Sequence, residues 1–177
     1  MRRIILSSIL LIAFCLLVTG CNETNKDSLN KDIKSNGEQV DLSKTQHKIC
    51  KGSGHIDNNS QANMTYDIYY KNNVIYLLRS NQQIISTSEE TLNTYEESFK
   101  GISEHYKGLE YYDTEIVKNE TSVDYTITIN YEKIDIDKLL DIEGEEDNIV
   151  ENGKAKLDKW LTLSQKFGVK CEEAEDV

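Results

Sequence analysis

Residues 123–131, VDYTITINY, constrain the fold more than any other stretch. Val123, Tyr125, Ile127, Ile129 and Tyr131 fall on one side of an extended chain, and Asp124, Thr126, Thr128 and Asn130 on the other. A period of two with one apolar side predicts a strand with one face on a core and one toward water, the pattern of an antiparallel sheet. NMTYDIYY (63–70) repeats the alternation, KNN (71–73) supplies turn residues, and VIYLLRS (74–80) follows, so these predict a hairpin. QQIIS (82–86) reads as a further short strand, residues 111–118 as another, and NETS (119–122) as the turn before 123.

The helices show a different period. Thr87 with Glu90 three residues on reads as a capping box. Leu92, Tyr95, Phe99, Ile102, Tyr106 and Leu109 then recur at threes and fours, one apolar stripe on a helix of about 20 residues that Gly108 ends. Residues 135–142 suit a short helix. A second main helix is expected over 154–167, with Leu157, Trp160, Leu161 and Ser164 inward and Gly168 as its stop. The expected class is α+β: an antiparallel sheet with two main helices packed on one face.

Ahead of this domain stand Arg2, Arg3 and an apolar run from Ile4 to Val18, shorter than the roughly 20 residues of a membrane-spanning helix. A basic start, a short apolar run and small residues before a cut site describe a secretory signal peptide. Leu17, Val18, Thr19, Gly20 and Cys21 resemble the bacterial lipobox. That resemblance implies cleavage after Gly20, a diacylglycerol on the Cys21 sulfur, an acylated (palmitate-type) new amino terminus, and a membrane-anchored chain on the extracytoplasmic face. Residues 1–20 are then the signal peptide and 21–48 the lipidated terminus with a flexible polar linker. In 22–48 four aliphatic residues, Leu29, Ile33, Val40 and Leu42, follow no period, and five lysines balance five acids. Such composition offers little apolar area to offset ordering entropy. The folded domain is expected over 49–173, with an acidic tail at 174–177.

Without Arg2 and Arg3 the chain holds 18 basic against 31 acidic residues, net −13. That charge argues against nucleic acid, where cations must neutralise phosphates. It also argues against a domain lying flat on an anionic bilayer.

Cys50 and Cys171 are the cysteines left in the domain. An exported chain meets an oxidising space, so they are expected to form a disulfide, the alternative being two free thiols. His47, Cys50 and His55 are close in sequence, but three candidates without paired spacing make a poor zinc site. Ser53 in GSGH lacks the Gly-x-Ser-x-Gly elbow of a hydrolase, and a glycine-rich turn or bulge is expected there. Asp135, Asp137, Asp141, Glu143, Glu145, Glu146, Asp147 and Glu151 form an acidic stretch without the EF-hand pattern, so a solvated loop is expected rather than a calcium site. Ten tyrosines, several on strands, are either core or an exposed stacking surface.

Several pieces together resemble one family. They are CKGSG (50–54), YDIYYKNNVIYLL (66–78), TSEETLNTYEESFKGISEHYKGLEYYD (87–113), TITINYEKIDIDKL (126–139) and FGVKCEE (167–173). They are similar to the YehR-like family of small bacterial lipoproteins, a domain of unknown function. The resemblance spans residues 49–173 and implies an α+β fold on a lipid anchor. It implies no activity, cofactor or catalytic residue. The reading is therefore a non-catalytic envelope lipoprotein that binds a partner or small ligand. The alternatives are an envelope-acting hydrolase or a structural component of an envelope assembly.

Overall fold

The structure is a computed structural model and describes residues 33–144 and 148–174. Its centre is a six-stranded antiparallel sheet. In chain order the long strands are β3 (Gln46–Asp57), β4 (Ser60–Lys71) and β5 (Val74–Ser86). Then come β6 (Tyr112–Lys118), β7 (Ser122–Asn130) and β10 (Lys170–Glu173), and the sheet order is β10-β3-β4-β5-β7-β6. Two two-residue hairpins flank it: β1 (Lys34–Ser35) with β2 (Glu38–Gln39), and β8 (Val150–Glu151) with β9 (Lys154–Ala155). The helices are α1 (Glu89–His105), α2 (Ile136–Glu143) and α3 (Leu157–Gln165). The α+β class holds: among the described residues there are three helices, and the short one expected at 135–142 is α2.

The turns follow from backbone chemistry. Asn72 and Asn73, at φ 48° and 64°, join β4 to β5. Positive φ at both central residues suits the primed turns that match strand twist, and Asn tolerates it. The strand expected at 74–80 and that expected at 82–86 are one element, β5. Polar SNQQ in the middle looks like a break, but its side chains find cross-strand partners. Asn81 Nδ2 donates to Thr126 Oγ1 at 3.1 Å, and Gln83 Nε2 to Asp124 Oδ1 at 2.9 Å. GSGH likewise lies inside β3, not in a turn, and the strand's register shifts at its end, between His55 and Asp57. Gly52 is needed for close approach: a Cβ there would meet Val169 Cγ2 at 3.2 Å and Met64 Cε at 3.3 Å.

One sheet face carries Tyr66, Ile68, Val123, Tyr125 and Ile127, all buried in the main core. Phe99 of α1 stacks on Tyr125 with centroids 4.7 Å apart, and Trp160 of α3 meets Tyr66 edge-on at 5.0 Å. Leu139 of α2 is fully buried in the same cluster. The cap of α1 is Ser88, not Thr87: Ser88 Oγ accepts from Thr91 N at 3.2 Å. Thr87 precedes the cap position, while Ser88 has the extended backbone that a cap needs. Helix α3 starts at Leu157 because Lys154 and Ala155 pair with β8 across Asn152 and Gly153, both at positive φ.

The opposite face holds a second small core: Ile33, Tyr69 and Leu77, with Val40 and Leu42 packed against it. Residues 33–48, expected as flexible linker, are therefore folded onto the sheet. The remainder of that segment, with Cys21 and the leader, lies outside the described residues, as does 175–177 of the tail. Ile33, Val40 and Leu42 show no period because each arrives from a different limb of the β1–β2 hairpin and its exit.

Candidate functional site

Strand alternation assigns the second face residue by residue. Register aligns Ile49, Asp67, Arg79, Thr128 and Asp113 across β3, β4, β5, β7 and β6. The next row is Lys51, Thr65, Asn81, Thr126 and Glu115. Arg79 is the chain's only arginine beyond residue 3.

Each acid in the row of Arg79 is engaged elsewhere. Directly opposite on β4, Asp67 places Oδ1 3.0 Å from Nε2 of His47. The His47 ring stacks on Tyr69 at 4.2 Å, 2° from parallel, which holds that pair in place. On β6, Asp113 is taken by the β1–β2 hairpin. Ser35 Oγ donates to Oδ2 at 2.9 Å, and Asn36 N donates to Oδ2 at 2.9 Å and to Oδ1 at 3.1 Å. Asn36 and Gly37 have positive φ, the tight turn that aims these donors at the carboxylate. Arg79 is left half-buried, with no hydrogen bond or ion pair among the described residues.

Beside it opens a cleft of about 230 Å³, lined by Lys34, Arg79, Asp113, Glu115, Thr126 and Thr128 and bounded by Ile33 and Thr114. Glu115 and Lys34 are exposed at its rim. Thr128 is buried on its floor.

The residues singled out from sequence fall as follows. Cys50 and Cys171 are disulfide-bonded, directly opposite in the β3–β10 register. Cys50 points to the main core while His47 and His55 lie on the other face, so the three do not converge. Ser53 sits on the second face opposite Asn63, away from any histidine of its own row. The acidic stretch is not one solvated loop. Asp135 caps α2 through Lys138 N at 3.2 Å. Glu143 is buried, accepting from Tyr106 Oη at 3.2 Å and from Asn148 Nδ2 at 2.9 Å. Glu145, Glu146 and Asp147 lie outside the described residues. Among the described residues no three His, Cys, Asp or Glu side chains gather as metal ligands would.

None of the ten tyrosines is exposed, so the second face is no aromatic platform. Burial raises the Tyr66 and Tyr112 hydroxyls well above the ordinary phenol range. Tyr69 is pushed up to about 12, by burial first and by Asp67 second, with Arg79 opposing. The Tyr112 hydroxyl is buried beside the stacked Tyr106 ring, with no hydrogen-bond partner among the described residues.

The fold defines an α+β module: a six-stranded antiparallel sheet with its helices and one hairpin supplied by the connections. Among solved structures the chain is similar in fold to Escherichia coli YehR, determined by NMR, at TM-score 0.51 and 19% identity, over 75% of this chain and 94% of that one. An NMR structure of a protein from Streptococcus pneumoniae TIGR4 aligns at TM-score 0.45 and 19% identity, over 87% of this chain and 100% of that one. No protein-family model and no curated protein matches the sequence. At such identity the YehR likeness is one of fold, which does not fix function.

Proposed function

We propose that this is a lipid-anchored, non-catalytic protein of the extracytoplasmic membrane face that binds a small polar ligand in the cleft beside Arg79. The observation that carries the ligand is the cleft itself: a concavity of about 230 Å³ with convergent polar groups and an arginine that has no hydrogen bond or ion pair among the described residues. Ligand sites are concave, with a few placed polar groups, and 300–1,000 Å³ is usual for drug-sized molecules. This cleft suits something smaller. In this reading the helices cover the Tyr66–Tyr125 face and leave the Arg79 face for the ligand. The contacts of Phe99 and Trp160 support that division.

Binding is favoured over hydrolysis by the state of the histidines. A histidine acting as general base needs a ring nitrogen within reach of substrate. His47 commits Nε2 to Asp67, and its Nδ1 is buried. His55 lies rows away from the cleft on β3.

The anchor is proposed from the sequence around Cys21, each buried CH₂ contributing about 0.8 kcal/mol to membrane affinity. Among the described residues no helix is long and apolar enough to cross a membrane. Two measurements test the proposal. Cys21→Ala should release the protein from membranes and abolish labelling by fatty acid; retention of both would refute the anchor. A small-molecule extract of the envelope should raise the melting temperature of the wild type but not of Thr126→Trp, which fills the cleft. Equal shifts in both would sink the ligand reading, and turnover of ester, amide or glycoside substrates would sink the non-catalytic one.

A further inference from the structure

Resting on the cleft as the ligand site, we propose that it takes a small zwitterionic amino-carboxylate, with the carboxylate on the guanidinium of Arg79 and the ammonium at the carboxylate of Glu115.

The anionic half of the ligand follows from the engagement of Asp67 and Asp113. Directly opposite residues on antiparallel strands have Cβ atoms about 5 Å apart, so Arg79 and Asp67 would ordinarily pair. His47 takes that carboxylate instead, and the hairpin takes Asp113. A guanidinium presents five donors in a planar fork matched to a two-oxygen acceptor. Here the fork faces a cleft, with no acceptor bonded to it among the described residues. Thr128 on the floor and Lys34 at the rim stand beside it, and the Thr128 side chain makes no hydrogen bond among the described residues. Thr126 accepts from Asn81, which leaves its own hydroxyl proton for a ligand oxygen.

The cationic half follows from Glu115. It lines the same cleft, and its carboxylate has no hydrogen bond or ion pair among the described residues. It lies two strands and two residues from Arg79 in the register. At about 4.8 Å per strand and 3.4 Å per residue, the backbones stand about 12 Å apart. Two long side chains reaching inward from that separation leave room for a molecule with its opposite charges a few ångströms apart. A doubly charged oxyanion fits less well. Glu115 would repel it, and so would the chain's net charge of −11. The cleft's own charges, Lys34 and Arg79 against Asp113 and Glu115, balance, as a neutral dipolar ligand requires.

The test is a ¹⁵N-NMR titration of the full chain in detergent, following the Thr126 and Thr128 amides. The probes are L-alanine, N-acetyl-L-alanine, L-alaninamide and inorganic phosphate. L-Alanine should bind at least tenfold more tightly than the other three. Arg79→Gln and Glu115→Gln should each erase that advantage, and the spectrum itself reports whether each variant is folded. Arg79→Lys, which keeps the charge but not the fork, should retain part of it. Phosphate or N-acetyl-L-alanine binding as well as L-alanine would overturn the zwitterion, as would unchanged binding by Arg79→Gln. If no probe moves these amides while the envelope extract still stabilises wild type and not Thr126→Trp, the ligand class falls and the cleft stands. If the extract also fails, the cleft falls with it.

Discussion

Reducing the Cys50–Cys171 bond is the most informative perturbation of stability. The bond closes a loop of 121 residues, nearly the whole described domain. The chain-entropy relation gives about 16 cal/mol/K for a loop of that length, or about 5 kcal/mol at 25 °C. A domain of this size has roughly 6–20 kcal/mol in total, so the loss is a large fraction. With an unfolding entropy of about 2 cal/mol/K per residue, it corresponds to a fall in melting temperature of about 15 °C. The full loss requires that β10 stay in place once reduced. That strand is four residues long and pairs only with Lys48–Lys51 of β3. Buried Val169 and the Glu173 contacts with Tyr70 and Lys48 help to retain it. The assay is urea unfolding with and without a phosphine reductant. It is read from Trp160, the single tryptophan, which is buried against Tyr66. Hydrogen exchange at Lys170–Glu173 runs alongside. An oxidised–reduced difference below about 1 kcal/mol, with β10 still protected from exchange, would refute the reasoning.

Three further outcomes are expected. Asp113→Ala should free the β1–β2 hairpin; hydrogen bonds to a charged group contribute about 1.5–3 kcal/mol, so exchange at Asn36 and Val40 should quicken at least tenfold while the sheet stays protected. Ser88→Ala should cost about 1 kcal/mol of stability and Thr87→Ala less than about 0.5 kcal/mol, measured by denaturant midpoint; the reverse order would return the cap to Thr87. The buried tyrosines have raised folded values, so their stabilisation is complete below the unfolded phenol value of about 10 and is lost as pH rises toward the about 12 of Tyr69. Melting temperature should fall over that window, with the tyrosinate absorbance of Tyr66, Tyr69 and Tyr112 rising only on unfolding, and ionisation of all ten tyrosines near pH 10 in a still-folded protein would contradict this.

What could be read from sequence was what repeats locally. The alternation of 123–131, the Asn turn before β5 and the stripe through Leu92 and Phe99 each carry their signal within a few residues. The N-terminal hairpin carries none: its apolar contacts are single residues, and its latch is Asp113, 78 positions from Ser35. Glu143 reads as one acid in a solvated run because the tyrosine that bonds it in the core, Tyr106, lies 37 positions away, although Asn148 is only five residues on. Arg79 is inconspicuous in the sequence for a similar reason. An arginine on the polar side of a strand is ordinary until register shows that His47 and the hairpin have taken both acids of its row. One signal was present: a lone arginine in an acidic domain, at an outward position of a strand.

The latch at Asp113 also has a mechanical meaning. Ile33 and Lys34 are part of the cleft wall, and the turn that follows them is fastened to β6. Tension on the chain upstream of Ile33 is therefore delivered to the wall of the cleft before it reaches the long strands. The antiparallel ladders behind it are twelve and thirteen residues long and bear load across many hydrogen bonds, whereas the latch bears it on the donors of Ser35 and Asn36. Among the described residues, the cleft wall is the part that a pull from the amino-terminal side loads first.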